Sequence, residues 1–266
     1  MTRRHWGLAL GFALVGGVTL WWTSRRIGEL RVGEIQRTQD QGIDVLEAPV
    51  YRGRTRAGTL VAVYAGLDRY VPEVVQNPSG LEVDSMAPGA KVVVNGSFFT
   101  PENKPTGLLV SNGEVLHPFI GHGGPAGSGV LTVDHHINLH RRDSFEPGAE
   151  TRFAIQAGPR LIEPGGGPGI YRDDGQRASR TVIGESEDGR LALVVVHTEP
   201  GLGPTLFELV ALLKGSVLGP GLRLRAALNL DGGNSSGARV ALKDLNVHLG
   251  SGVTVPYALA LRERLP

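Results

Sequence analysis

From Gly42 onward the chain repeats one plan: a run of apolar, often β-branched residues leads into a short cluster of small and polar ones. GIDVLEAPVY (42–51) alternates well enough to predict a first strand, and TLVAVYAGL (59–67) predicts a second, more completely apolar one. Pro72, Pro78 and Pro88 predict irregular connections over 70–90, with room for one short helical turn. PTGLLVSNGEVL (105–116) has two apolar runs around Asn-Gly, the pattern of a tight hairpin. VLTVDHHINLHRR (130–142) reads as one strand with Leu131, Val133, His135, Ile137 and Leu139 on one face. Its other face, Asp134, His136, Asn138 and His140, has metal-binding residue types, although such a face is more commonly just solvated. Two strands flank Asp188-Gly189, and the second, LALVVV (191–196), is so continuously apolar that it should be central in its sheet. PTLFELVALLK (204–214) has helical spacing, with Pro204 and Thr205 at its start and Lys214 and Gly215 at its end. Strand-like runs in 240–264 frame Gly250-Ser251-Gly252, and Pro256 marks an edge position.

Composition narrows the class. With 39 Gly and 17 Pro in 266 residues, turns and short strands are favoured over a helix bundle. The 41% hydrophobic content supports a buried core, and about 236 residues beyond the first thirty are enough for one large domain. A net charge of +1, with Lys and Arg scattered in ones and twos, gives no nucleic-acid footprint. The absence of Cys excludes disulfides and thiolate metal sites.

The amino terminus differs in kind. Residues 6–22, WGLALGFALVGGVTLWW, are uncharged, bracketed by Arg3-Arg4 and Arg25-Arg26, and carry Trp at both ends. As a helix they would span roughly 25 Å, close to the ~30 Å hydrocarbon core. The pattern predicts a signal anchor within residues 1–24. A cleaved signal peptide is the competing reading, but Trp21-Trp22-Thr23-Ser24 lacks a small-residue cleavage pattern. Residues 25–41 are polar and read as a stalk, which leaves 42–266 as the folded domain.

Four polar clusters carry the candidate chemistry. In AALNLDGGNSS (226–236) an apolar approach delivers Asp231 into a turn of Gly232, Gly233, Asn234, Ser235 and Ser236. A plain Asp-Gly hairpin turn is the alternative. KVVVNGSFF (91–99) releases Asn95, Gly96 and Ser97 at the end of a strand, or makes a simple turn before a core Phe98-Phe99 pair. FAIQAGPRLI (153–162) approaches Gly158-Pro159, and residues 178–199 present Arg180 before one strand and His197, Thr198 and Glu199 after the next. The glycine-rich GHGGPAGSG (121–129) lacks the strand, loop and helix context of a phosphate loop and reads as a flexible connection.

The ordered set VNGSFFTPENKPTGLL, AIQAGPRLI, ASRTVIG and NLDGGNSS resembles the signature of the phosphodiester glycosidase family over about residues 90–240. Many relatives have Gly or Ala at positions 96–97 and a third Gly where this chain has Asn234. The resemblance implies an α+β domain with a large, mainly antiparallel or mixed sheet and few helices, held on the extracytoplasmic side of a membrane. It also implies hydrolysis of a sugar phosphodiester or envelope glycan, with Asn95, Gly96, Ser97, Gly107, Gly158, His197, Gly232, Gly233, Asn234, Ser235 and Ser236 around the substrate. The residue chemistry is compatible with this. Arg180 offers a forked, permanently charged donor set for phosphate oxygens. Backbone amides at 96, 158 and 232–233 add neutral donors. A phosphodiester oxygen leaves well, which lessens the need for two carboxylic acids. Asp231 is then the acid/base or cation-stabilising group, and Glu199 is a second candidate carboxylate. His197 is a second acid/base or a structural histidine. No organic cofactor is implied, and a divalent cation in an oxygen-lined site remains open. Hydrolysis of another linkage on this scaffold and a non-catalytic glycan-binding module are the alternatives.

Overall fold

The structure, a computed structural model, describes residues 28–148 and 151–264. These form one mostly β domain in which every strand pair is antiparallel. The first sheet has eight strands. Its order is β1 (Leu30–Val32), β3 (Ile43–Arg52), β4 (Thr55–Ala65), β14 (Leu191–Thr198), β13 (Arg180–Ser186), β15 (Leu224–Asn229) and β12 (Arg160–Ile162), with β2 (Gln36–Asp40) also paired to β3. The second runs β10 (Ile137–Arg141), β9 (Gly129–Val133), β11 (Phe153–Ala157), β7 (Leu109–Ser111), β8 (Glu114–His117). The third runs β17 (Leu245–Leu249), β16 (Ala238–Leu242), β6 (Val92–Asn95), β18 (Val255–Glu263), β5 (Tyr70–Leu81). One α-helix among the described residues, α1 (Leu206–Lys214), completes the domain. The large sheet expected of an α+β domain is thus three sheets.

The period-2 alternation of strands explains how the layers assemble. On β14, Leu191, Leu193 and Val195 face the core shared with the other two sheets, alongside Val61, Ile183, Leu131, Ile155 and Leu259. Ala192, Val194 and Val196 face the opposite layer, under Leu209, Leu212 and Leu213 of α1. Covering both faces is what makes LALVVV uninterrupted, and β14 is central as its composition predicts. The helix begins in a capping box: Thr205 Oγ1 accepts from Glu208 N at 3.2 Å, and Glu208 Oε2 accepts from Thr205 N at 2.9 Å. Glu208 is also gripped by Arg52, whose Nη1 and Nη2 lie 2.5 and 2.8 Å from its two carboxylate oxygens. The predicted hairpin turns at Asn112 and Gly113, with φ of 52° and 83°, the left-handed pair that an Asn-Gly turn needs.

Four local expectations are corrected. Residues 70–81 are a strand, and its prolines are tolerated because β5 is an edge. Residues 130–141 are a hairpin, β9 and β10 pairing Val133 with Ile137, so the turn at 134–136 breaks the proposed metal-binding face. Pro256 is not on an edge: β18 lies between β6 and β5, and the register shift between Val255 and Tyr257 accommodates a residue with no N–H. Part of the polar stalk is structured, since β1 and β2 pair with β3. The predicted anchor at 6–22 lies outside the described residues, among which no helix is long and apolar enough to cross a membrane.

Candidate active site

Strand ends from all three sheets meet at one pole. Asn95 ends β6, Ala157 ends β11, Arg180 begins β13 and Asn229 ends β15. Asn95 is buried at 1% exposure, and its Nδ2 donates to the backbone carbonyl of Asp231 at 2.8 Å. Asp231 N returns a 3.3 Å hydrogen bond to Gly96 O. Thr181 Oγ1 donates to Asn95 Oδ1 at 2.6 Å and lies 3.1 Å from Ser236 Oγ. One hydroxyl carries one proton, so Ser236 is the donor in the second contact. Gly237 N also reaches Asn95 Oδ1, at 3.3 Å. Asn95, Thr181 and Ser236 therefore form a buried polar chain that fixes the backbone on which the Asp231 carboxylate is mounted.

The turn after Asp231 is held just as closely. Gly232 N donates to Asp231 Oδ1 at 2.8 Å, and Gly233, at φ 61°, donates its N–H to Ser179 O at 2.8 Å. A Cβ on Gly232 would stand 3.0 Å from Ser179 O, so the glycine lets the turn lie close against the start of β13. Burial pushes the Asp231 carboxyl above its ordinary value, opposed by hydrogen bonds from the Ser235 hydroxyl and the Gly232 N–H. A half-buried carboxyl tuned upwards by burial in a polar cluster is a recognisable acid/base candidate.

Arg180 donates from Nε to Pro204 O at 3.3 Å and from Nη2 to Gln176 O at 2.7 Å. These bonds orient the guanidinium without neutralising it, and its remaining N–H groups make no hydrogen bond among the described residues. Burial lowers its proton affinity, partly offset by Asp174, yet an arginine stays charged under such a shift.

Gly158 joins the cluster through Asn229, whose Nδ2 donates to Gly158 O at 3.0 Å and to Leu230 O at 2.8 Å. A Cβ at Gly158 would come 2.2 Å from Pro125 O, so only glycine lets the 121–129 loop close over this point. Gln156 secures that loop: its Nε2 donates to Ile120 O and Gly127 O, at 2.7 and 3.0 Å. Its Oε1 accepts from Leu108 N and Ile120 N, at 2.9 and 3.0 Å. Gly107 packs on Gln156, where a Cβ would meet its side chain at 2.8 Å, and so belongs to this supporting hub, with no contact to Asp231 shown.

The remaining candidates fall around the cluster. Ser235 and Ser236 are buried in it, whereas Asn234 is exposed beside it, its carbonyl accepting from Gly252 N at 2.8 Å. Ser97 is 2% exposed, and its Oγ has no hydrogen-bond partner among the described residues. His197 pairs through its backbone with Thr59 and makes no side-chain hydrogen bond among the described residues, and Glu199 is exposed. Among the described residues no three of His, Asp and Glu gather as metal ligands do. Thr181, Ser179, Asn229 and Gln156 were not singled out by the sequence. Thr181 adjoins Arg180 but reads as an ordinary β-former, and only its place opposite Asn95 reveals its role.

The sequence model of the phosphodiester glycosidase family matches residues 88–262, a span that contains the whole cluster. No curated protein matches the sequence. A hypothetical protein from Synechocystis superposes with a TM-score of 0.58 at 17% identity, covering 87% of this chain and 64% of its own. The chain thus spans a little under two thirds of that protein. The catalytic domain of zebrafish N-acetylglucosamine-1-phosphodiester alpha-N-acetylglucosaminidase, in a form auto-inhibited by its pro-peptide, superposes at 0.55 with 16% identity over 89% of this chain and 83% of its own. A protein of Burkholderia pseudomallei superposes at 0.51 with 14% identity over 94% of this chain and 89% of its own. At such identities the likeness is one of fold.

Proposed function

This chain belongs to the phosphodiester glycosidase family, and we propose that it hydrolyses a glycosyl phosphodiester in an extracytoplasmic glycan or envelope polymer at the Asp231–Arg180 cluster. The observation that carries the assignment is the upward-tuned Asp231 carboxyl, mounted on a buried polar chain through Thr181, whose neighbour Arg180 begins the same strand with an oriented guanidinium that makes no ion pair among the described residues. In this reading Arg180 and the amides of the glycine turns hold the phosphate oxygens. The bond between the anomeric carbon and the phosphate oxygen breaks, its electron pair leaving with the phosphate. Water adds to the anomeric carbon, and Asp231 handles the proton exchanged between water and leaving group. Asn95, Ser235 and Ser236 position Asp231. The extracytoplasmic site of action and attachment through residues 6–22 are part of the same proposal, supported by the apolar run bracketed by arginines.

The test is turnover of α-linked sugar phosphodiesters against simple aryl glycosides by wild type, Arg180→Lys and Asp231→Asn. Lysine keeps the charge and loses the fork, so the loss should fall mainly on KM. Asparagine keeps the shape and loses the proton chemistry, so kcat should drop by on the order of 10²-fold or more. A folded Asp231→Asn protein with near-full turnover would overturn the catalytic assignment.

A further inference from the structure

The described chain begins at the pole that carries Asp231. Val32 of β1 pairs with Val50 of β3, Val50 with Gly58 of β4, and Gly58 with Thr198 of β14, beside the start of β13 at Arg180. Side chains close the remaining gap. Arg52 donates from Nη1 to Gly28 O at 3.4 Å and from Nη2 to Gly203 O at 2.6 Å, and Arg180 Nε donates to Pro204 O, the next residue. Two guanidiniums thus connect Gly28 to the candidate site. Only residues 23–27 separate Gly28 from the apolar run that ends at Trp22, and a chain of six peptide steps reaches at most roughly 22 Å. With residues 6–22 in a bilayer, the Asp231 pole is held close to it.

The same pole carries most of the exposed apolar bulk. Of the large apolar side chains that stand exposed among the described residues, Leu81, Tyr171, Phe207 and Val253 lie here, and Val115 does not. Val253 follows Gly252, whose N–H donates to Asn234 O at 2.8 Å. Leu81 pairs with Val255, three positions before the Ala258 that pairs with Asn95, and so lies beyond the end of β6. Phe207 is in the first turn of α1, just past Pro204. Pro168 bridges Ile162 and Gly169 N donates to Leu161 O, so the chain runs back along β12 and carries Tyr171 past Arg160 towards Gly158. Val115 is on the β7–β8 hairpin, whose turn residue Gly113 donates its N–H to Arg152 O before the far end of β11. Singly such residues are ordinary surface. Gathered around one end, with a tyrosine and a phenylalanine among them, they suit the boundary between water and lipid.

We propose that this pole faces the bilayer and that the substrate is a lipid: a glycosyl phosphodiester whose second ester oxygen carries the membrane-embedded chain. The inference rests on the hydrolytic reading of Asp231 and on attachment through residues 6–22. Water cleaves the bond between the anomeric carbon and the phosphate oxygen. The sugar departs with a new hydroxyl, and the phosphate stays on the lipid as a monoester carrying the other proton of the water. A lipid ester holds its phosphate at head-group level, on the side Arg180 faces, and shares the plane of the anchored chain, which raises its effective concentration. A bulky soluble glycan would have to enter between the domain and the membrane.

The full-length chain is reconstituted in phosphatidylcholine and phosphatidylglycerol vesicles and given a panel of α-linked sugar phosphodiesters, each made as the methyl and as the dialkylglycerol ester. For the sugar that is cleaved, the dialkylglycerol ester in the same vesicles turns over about 10²-fold faster than the methyl ester at equal bulk concentration, and in separate vesicles it is left intact. The chain has no cysteine, so Val253→Cys and Glu114→Cys each provide one labelling site. A fluorophore at 253 loses most of its emission to head-group spin-labelled lipid, whereas one at 114 keeps it. Cleavage of the methyl ester without preference for the lipid ester, equal cleavage in separate vesicles, or an unquenched label at 253 on a chain that floats with the vesicles overturns the inference alone. If no ester is cleaved the hydrolytic reading fails, and if the chain does not float with the vesicles the anchor fails; either result overturns the inference as well.

Discussion

Replacing Thr181 by valine tests the buried chain behind Asp231 while hardly changing its shape. The side chain is 0% exposed, so no water takes the place of the lost hydroxyl. Valine removes the 2.6 Å donor to Asn95 Oδ1 and the 3.1 Å acceptor for Ser236, which is itself 0% exposed. Asn95 Oδ1 keeps the Gly237 N–H, but the Ser236 hydroxyl is left buried with no acceptor. An orphaned buried polar group costs about 1–3 kcal/mol, so roughly 2 kcal/mol is expected here. In a domain of this size that lowers Tm by about 4–8 °C without abolishing folding. Asn95 then holds the Asp231 carbonyl less firmly, and kcat should fall about tenfold with KM little changed, as for a misplaced catalytic group. Thr181→Ser restores the hydroxyl and should recover most of both losses. Thermal melting and steady-state kinetics on a sugar phosphodiester measure the two effects. A Val variant that melts with wild type and turns over normally would refute the idea that this chain positions Asp231.

Other perturbations follow from the same structure. Ser235→Ala removes a hydrogen bond that opposes the raised pKa of Asp231, so the group should rise further and the limb of the pH–rate profile that Asp231 sets, alkaline for an acid or acidic for a base, should move upwards; a profile with neither limb moved upwards contradicts the assignment. Because the folded-state pKa of Asp231 is raised, its contribution to stability is present at low pH and is lost as pH rises through that value. Asp231→Asn should therefore melt at or above wild type at neutral pH, and a clear loss of Tm would mark the carboxylate as structural. Glu208→Gln should cost about 3–5 kcal/mol at neutral pH, because it strands the Arg52 guanidinium, whose side chain is 2% exposed. Burial alone would raise the Glu208 pKa, but Arg52 and the Thr205 N–H outweigh it and hold it below 4.5. Wild type should thus lose this stabilisation as pH falls below about that value, and the melting curves of the two proteins should converge in acid.

The elements that were legible in the sequence are those whose local chemistry allows a single solution. Asn112-Gly113 can make only a left-handed tight turn, and Thr205 with Glu208 announces a helix start, so both appear where the sequence puts them. The β9–β10 hairpin was hidden by parity: a three-residue turn keeps Val133 and Ile137 on one core face, so one strand and two strands predict the same apolar positions. Pro72 and Pro256 misled in opposite senses, since a proline fits a strand either at an edge or at a bulge and the sequence does not say which. Asp231, Arg180 and Asn95 stood out because unusual polar residues end apolar runs. Thr181 and Gln156 did not, because their partners Asn95, Leu108 and Ile120 are distant in sequence and visible only once the sheets are docked.

The bond from Asn95 to the Asp231 carbonyl spans 136 positions of sequence and bridges two sheets. No hairpin, and no single sheet, contains the candidate site in miniature. During folding each sheet can close its own ladders early, but the carboxylate acquires its orientation only when the third sheet seats against the first. An unfolding intermediate in which β6 and β18 have slipped away from β13 would keep most of its secondary structure and already be inert. Activity should therefore report the docking of β6 against the first sheet, and it should vanish ahead of circular dichroism on gentle heating.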